Sequence, residues 1–183
     1  FCGGFGMRMG KFFQNKSEFF ENNPKPMLMV GSRPILWHLM KYYAHFGHKD
    51  FILCLGYKAD IIKDYFKTNN DHFADWNIQL VDTGLNTKIG QRLFSVKDLL
   101  QNDDVFMVNY TDGLTDVDLN AYLDYFTKHD KVASLLSVKA PLGFHHVISN
   151  NNGIVKNIKD GLGNYDLRIN AGFFIFKNEF FNY

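Results

Sequence analysis

The chain has 183 residues, 46% of them hydrophobic and 16% aromatic, which is enough apolar surface for a sizeable core and excludes a disordered chain. Its 20 Lys and Arg against 19 Asp and Glu give a formal net charge of +1, without the basic excess of a nucleic-acid or anionic-membrane surface. No apolar run is long enough to span a bilayer, and two cysteines exclude a disulfide framework and a Cys-rich zinc site.

Taken in order, Phe1-Cys2-Gly3-Gly4 reads as the end of an apolar strand and a glycine turn. Residues 11–23 are polar and aromatic without a period, so they read as a long loop. Pro24 and Pro26 flank Lys25 and predict an extended, stiff backbone there. Residues 34–44 read as a helix, with Pro34 at its first position, Ile35, Leu36, Leu39, Met40 and Tyr43 on one face, and Gly47 as the stop. Residues 51–55 form a wholly apolar strand containing Cys54, which the pattern places in the core. Ile61, Ile62, Tyr65 and Phe66 mark a second helix, 78–81 a strand, 90–100 a helix, and 105–108 another buried strand. Leu119, Tyr122, Leu123 and Phe126 give a further helix its apolar face.

The pattern then changes. Residues 132–138, 146–149, 154–158 and 169–176 are strand-like, and Asn150-Asn151-Asn152-Gly153 is a hairpin turn. The expected architecture is α/β: alternating strands and helices first, then a mixed sheet with hairpins. In such sheets ligands sit beyond the carboxyl ends of the strands. The loops after Cys2, Leu55, Val81 and Val108 are therefore where chemistry is expected.

The first of these loops is Gly3-Gly4-Phe5-Gly6-Met7-Arg8. Glycines let backbone N–H groups approach phosphate oxygens. Neither a Walker A Gly-Lys-Ser/Thr nor a dinucleotide fingerprint is present; a plain glycine turn is the competing reading. Arg8 could brace a phosphate with paired hydrogen bonds, and a restrained Lys25 loses little entropy on gripping an anion. Asp116-Val117-Asp118 matches a DxD metal pattern, but a short acidic run before a helix more often caps it. His45 with His48 and His145 with His146 read as ordinary surface or core histidines.

Gly3-Gly4-Phe5-Gly6-Met7-Arg8, Pro24-Lys25-Pro26-Met27 and Pro34-Ile35-Leu36-Trp37-His38, in this order, resemble the sugar-1-phosphate nucleotidyltransferases. Leu55-Gly56-Tyr57-Lys58, Val81-Asp82-Thr83-Gly84, Tyr110-Thr111-Asp112-Gly113 and Ile169-Asn170-Ala171-Gly172-Phe173-Phe174 narrow the resemblance to the glucose-1-phosphate cytidylyltransferase group. The resemblance runs from Phe1 to about Phe176.

It implies a Rossmann-like, mostly parallel sheet flanked by helices, the nucleotide-diphospho-sugar transferase or GT-A-like fold, in a single core domain over 1–183. Read this way, the domain is cut short at both ends, and a second metal-binding Asp is expected beyond Tyr183. The implied reaction condenses a nucleoside triphosphate, CTP in this group, with a sugar-1-phosphate, glucose 1-phosphate. It yields a nucleotide sugar and pyrophosphate with Mg²⁺ as cofactor, in the cytoplasm, with no nucleic acid or membrane partner and with a homo-oligomer as an option.

Arg8 and Lys25 take the catalytic positions. Gly3, Gly4, Phe5, Gly6, Met7, Thr83, Gly84, Tyr110 and Thr111 take the nucleotide- and substrate-binding ones, and Asp112 the metal position. Gly56 and Lys58 are further candidates for nucleotide recognition. The pattern departs from the family at Met7 and Thr111, and at Lys159, where the family's sugar-phosphate lysine has no clear counterpart. A non-catalytic nucleotide-sugar-binding paralogue and a GT-A glycosyltransferase are the alternative readings.

Overall fold

The computed structural model describes residues 1–4, 23–139, 145–160 and 168–183, with the side chains of 145, 146, 159 and 160 left aside. The loop expected over 11–23 lies outside these residues except for its last member.

A 3-10 turn, Lys25–Met27, opens the continuous part of the chain. It replaces the extended backbone expected around Lys25. Pro24 is extended, but Met27 N–H donates to Pro24 O (2.9 Å) and Leu28 N–H to Lys25 O (3.0 Å). Pro26 sits early in the turn, where no donor is required of it, so its ring costs no hydrogen bond. A short antiparallel pair, β1 (Met29–Val30) and β2 (Arg33–Pro34), leads into helix α1 (Ile35–His45). Pro34, expected at the first helical position, stands one place before the helix, because its ψ of 151° is that of a strand residue. Leu36, Leu39, Met40 and Tyr43 are buried as one stripe, and Gly47 (φ 91°) stops the helix as expected.

Strand β3 (Asp50–Leu55), helix α2 (Ala59–Thr68) and strand β4 (Asn77–Asp82) form a right-sized β-α-β unit, with β3 and β4 parallel in register. Helix α3 covers only Ile89–Phe94, and a separate 3-10 turn spans Lys97–Leu100. One helix over 90–100 was the expectation. Both the N–H and the hydroxyl of Ser95 donate to Gln91 O, and Val96 leaves helical geometry (φ −110°), so the helix is broken there. Strand β5 (Val105–Asn109) and helix α4 (Leu119–Lys128) follow. Then come β6 (Ala133–Lys139), β7 (His145–Ser149), β8 (Val155–Asp160) and β9 (Arg168–Lys177).

Strand β9 lies between β5 and β6 and runs against both, so β5 and β6 share one direction. The β7–β8 hairpin closes where Asn150 Oδ1 accepts from the N–H groups of Asn152 and Ile154, with Gly153 at φ 77°. Strands β3 and β5 are covered on both sides. Leu53 and Leu55 pack with Leu36, Met40, Ile62 and Phe66, while Cys54, Phe106 and Val108 pack with Leu93, Val96 and the ring of Phe181 on the other. Leu119 and Phe173 join α4 to α1 through Leu39 and Tyr43. Trp37 and Trp76 are half-buried against the first of these clusters. Cys2 and Cys54 are unpaired and buried, and burial raises the pKa of both thiols. No helix among the described residues is long and apolar enough to cross a membrane.

Candidate active site

The carboxyl ends of β3, β4 and β5 meet the chain's first residues. Cys2 N–H donates to Cys54 O (2.9 Å), and Tyr57 N–H to Gly3 O (3.3 Å). On the other side the Phe1 ammonium donates to Asn109 O (2.8 Å), and the Thr111 hydroxyl to Phe1 O (3.0 Å). The glycine turn is thus seated between the β3 and β5 loops, as loops at strand ends predict. Gly4 is exposed, with open space where a Cβ would stand. Phe5, Gly6, Met7 and Arg8 lie outside the described residues.

Beside this turn, Lys25 Nζ stands 3.1 Å from Asp112 Oδ2, although 87 residues separate them. The Asp112 side chain is 46% exposed and that of Lys25 21%. Two of the residue types expected at a phosphoryl-transfer centre, a fixed cation and a metal-binding carboxylate, are therefore adjacent. Asp112 alone suits Mg²⁺, which takes one or two protein carboxylates and fills its shell with phosphate and water oxygens. Among the described residues no group of three or more His, Cys, Asp or Glu could hold a metal by itself. Asp118 does what a helix cap does, accepting from Ala121 N–H (3.1 Å) at the start of α4. That employment argues against the DxD reading.

Tyr110 is pinned from behind. Its N–H donates to Gly172 O (3.0 Å), and Gly172 has φ 80°, with its own N–H held by Asn170 Oδ1 (2.7 Å). A Cβ at Gly172 would stand 2.7 Å from the Tyr110 ring. We expect Gly172→Ala to destabilise the fold by roughly 2 kcal/mol or more, since it combines left-handed backbone with a clash. Thermal melting checks this; an unchanged transition would refute it.

Thr83 and Thr111, expected to line the ligands, are buried instead. The Thr83 hydroxyl donates to Leu55 O (2.7 Å) and accepts from Arg92 Nη1 (2.7 Å). Gly84 (φ 89°) makes the turn after it and donates to Asp82 Oδ1 (3.0 Å). Lys58, in left-handed backbone (φ 51°), caps α2, and its ammonium lies 5.4 Å from the Tyr57 ring centre. Lys159 pairs with His146 in the β7–β8 hairpin, a sheet separate from β3, β4 and β5.

Sequence reasoning missed Arg92. It is 4% exposed, and its guanidinium donates to Leu55 O (2.8 Å), Thr83 Oγ1 (2.7 Å), Gly3 O (3.2 Å) and Leu85 O (3.1 Å). One side chain thereby ties the glycine turn to the loops after β3 and β4. All four acceptors are neutral, and no ion pair to Arg92 occurs among the described residues. A full positive charge consequently lies under the site floor, where it attracts anions. It also explains two glycines: a Cβ on Gly3 would stand 2.3 Å from Arg92 Nη1, and one on Gly56 2.7 Å from it. The legible signal was spacing. Ile89, Arg92, Leu93 and Val96 fall at i, i+3, i+4 and i+7, so the arginine shares the side of two buried residues.

No family model matches the chain. Glucose-1-phosphate cytidylyltransferases of Salmonella typhimurium and Salmonella typhi are each 35% identical over 193 residues, an alignment covering 95% of this chain and 72% of theirs. A solved structure, the UTP-bound UGPase of Acinetobacter baumannii, matches with a TM-score of 0.67 at 18% identity, over 99% of this chain and 74% of that one. That likeness shows the fold: the nucleotide-diphospho-sugar transferase architecture.

Proposed function

The chain belongs to the glucose-1-phosphate cytidylyltransferase family, and from that membership we propose that it joins CTP to glucose 1-phosphate, releasing CDP-glucose and pyrophosphate. The relationship supports the reaction. The contact between Lys25 and Asp112 supports the place where it occurs.

An oxygen of the sugar phosphate attacks the α-phosphorus of the triphosphate in line. The new P–O bond forms as the bond to the β-phosphate oxygen breaks, and pyrophosphate leaves with its electrons. A phosphate monoester with a second pKa near 6 is largely dianionic at neutral pH, so no side chain must remove a proton. What remains for the protein is positioning and charge stabilisation. Lys25 holds the attacking or the α-phosphate. The amides of Gly3, Gly4, Phe5, Gly6 and Met7 cradle the triphosphate, and Arg8 stabilises charge at the α-phosphate and the departing pyrophosphate. Tyr110 lines the sugar side, and Gly84 with Gly56 the base side. Thr83 and Thr111 act from beneath, through the backbone they hold.

Asp112 is the residue that would hold Mg²⁺, which when bound neutralises phosphate charge. The two reduced, buried cysteines fit a cytoplasmic setting. Exposed Val147, Ile148, Val155 and Ile158 on the β7–β8 hairpin fit contact with a second copy.

Release of pyrophosphate from CTP plus glucose 1-phosphate tests the reaction. It should require Mg²⁺ and stop on chelation. Tight nucleotide binding without turnover would instead favour a non-catalytic binding protein.

A further inference from the structure

Strand β5 is apolar except for its last residue, Asn109. Phe106 and Val108 pack with Leu93 and Val96, while Met107 packs on the opposite face with Leu39, Tyr43 and Phe173. Strand residues two apart share a face, so Asn109 projects beside Met107 toward α1. A half-buried amide among such neighbours needs hydrogen-bond partners, and it has two. The Tyr43 hydroxyl donates to Asn109 Oδ1, and Asn109 Nδ2 donates to Gly172 O (3.3 Å). The partners assign the amide's orientation. A carbonyl can only accept, so the NH₂ group must face Gly172 O, and Oδ1 is left to Tyr43. Burial raises the pKa of that phenol, so it stays protonated and remains the donor.

The Gly172 carbonyl also accepts from Tyr110 N–H (3.0 Å). Two adjacent residues, one by its side chain and one by its backbone, thus close on a single oxygen. The ladder between β5 and β9 ends at the pair Asn109 and Phe173. Past it, the bend of β9 at Ala171 and Gly172 underlies both ends of residues 110–113. At one end the Tyr110 ring rests on Gly172; at the other, a Cβ on Gly113 would stand 3.5 Å from Ala171 O and 3.8 Å from the Phe173 ring. Asp112 lies between these two supports and meets Lys25. The bend therefore sets where the carboxylate stands, and Asn109 holds the bend from the α1 side.

We propose that Asn109 is a positioning residue for the reaction given above: through Gly172 O it fixes residues 110–113, and so presents Tyr110 and Asp112 to the substrates. Tyr43 contributes by keeping the amide from turning over. This role in turnover rests on the proposed reaction, whereas the hold on residues 110–113 does not.

Asn109→Asp tests it on the full chain, at about pH 8, where a carboxyl is ionised. The variant keeps the shape and an acceptor for Tyr43, but the group facing Gly172 O changes from donor to acceptor. Amide exchange at residues 110–113 should quicken at least about tenfold, while Leu39 in α1 and Leu53 in β3 keep their parent rates. That locality separates positioning from a general loss of stability. The kcat/KM for glucose 1-phosphate should fall about 10–10²-fold. KM for CTP should move by less than about threefold, because the Asn109 side chain bonds Tyr43 and Gly172 and not the glycine turn. Tyr43→Phe, which leaves Nδ2 on Gly172 O, should show the same local signature more weakly. Should Asn109→Asp fail to fold, Asn109→Ala removes the amide without adding a charge and is read in the same way. Unchanged exchange at residues 110–113, an equal quickening throughout the molecule, or a normal kcat/KM beside a loosened segment would overturn the proposal. A parent that turns over no substrate pair would overturn the reaction instead, and the exchange rates would still decide whether Asn109 holds residues 110–113.

Discussion

Arg92→Met will lower the melting temperature by roughly 6–20 °C. The estimate combines a loss of about 3–5 kcal/mol for deleting buried hydrogen bonds from a charged donor, each of about 1.5–3 kcal/mol, with about 2–4 °C per kcal/mol in a domain of this size. The chemistry behind it is the four-way contact. Without the guanidinium, Leu55 O and Gly3 O lose a charged donor in a place that water reaches poorly. Arg92→Lys should recover little of this, because an ammonium on a single stem cannot span acceptors on three separate loops. Turnover should fall in both variants, since the glycine turn loses its anchor. Circular dichroism melts and pyrophosphate release check the two effects together. A melting temperature within about 2 °C of the parent would refute the bracket role of Arg92.

Lys25→Ala will behave in the opposite way, with a large loss of rate and little loss of stability. We expect kcat/KM to drop about 10²–10³-fold, the range for removing one preorganised charge-stabilising group. Stability should hardly move, because a partly exposed ion pair contributes only about 0–1 kcal/mol. Asp112→Asn should cut the rate at least as far and raise the Mg²⁺ concentration needed for half-maximal activity, an effect Lys25→Ala should lack. The double variant should lose less than the product of the two single losses, since both residues serve the same phosphate oxygens. Near-normal rates in both single variants would remove them from the site.

Much of this organisation was legible in the sequence because its signals are local. The stripe of Leu36, Leu39, Met40 and Tyr43 announces α1, and the unbroken apolar run ending at Leu55 announces a strand covered on both faces. The order of glycine turn, Lys25 and Asp112 could be read, and the fold brings the last two into contact. What could not be read depends on distant partners. Thr83 and Thr111 looked like ligand-lining hydroxyls, yet each is consumed by a backbone carbonyl supplied from elsewhere in the chain. Arg92 looked like one more charge in a short helix; its importance comes from three loops that converge on it only after folding. The break at Ser95 was missed because a hydroxyl bonding back to Gln91 O competes with helix propensity in a way that composition does not register. The near-neutral net charge also gains a meaning, since a few placed cations, one of them buried, suffice for polyanionic substrates without a basic surface.

The central claim is tested most directly by one panel: CTP, UTP, dTTP and GTP, each with glucose 1-phosphate and with other sugar-1-phosphates, with pyrophosphate release as the readout on folded protein. CTP with glucose 1-phosphate should be turned over fastest, by at least about tenfold in kcat/KM, a difference of about 1.4 kcal/mol in transition-state binding. Faster turnover of a different pair, or none with any pair, would contradict the account.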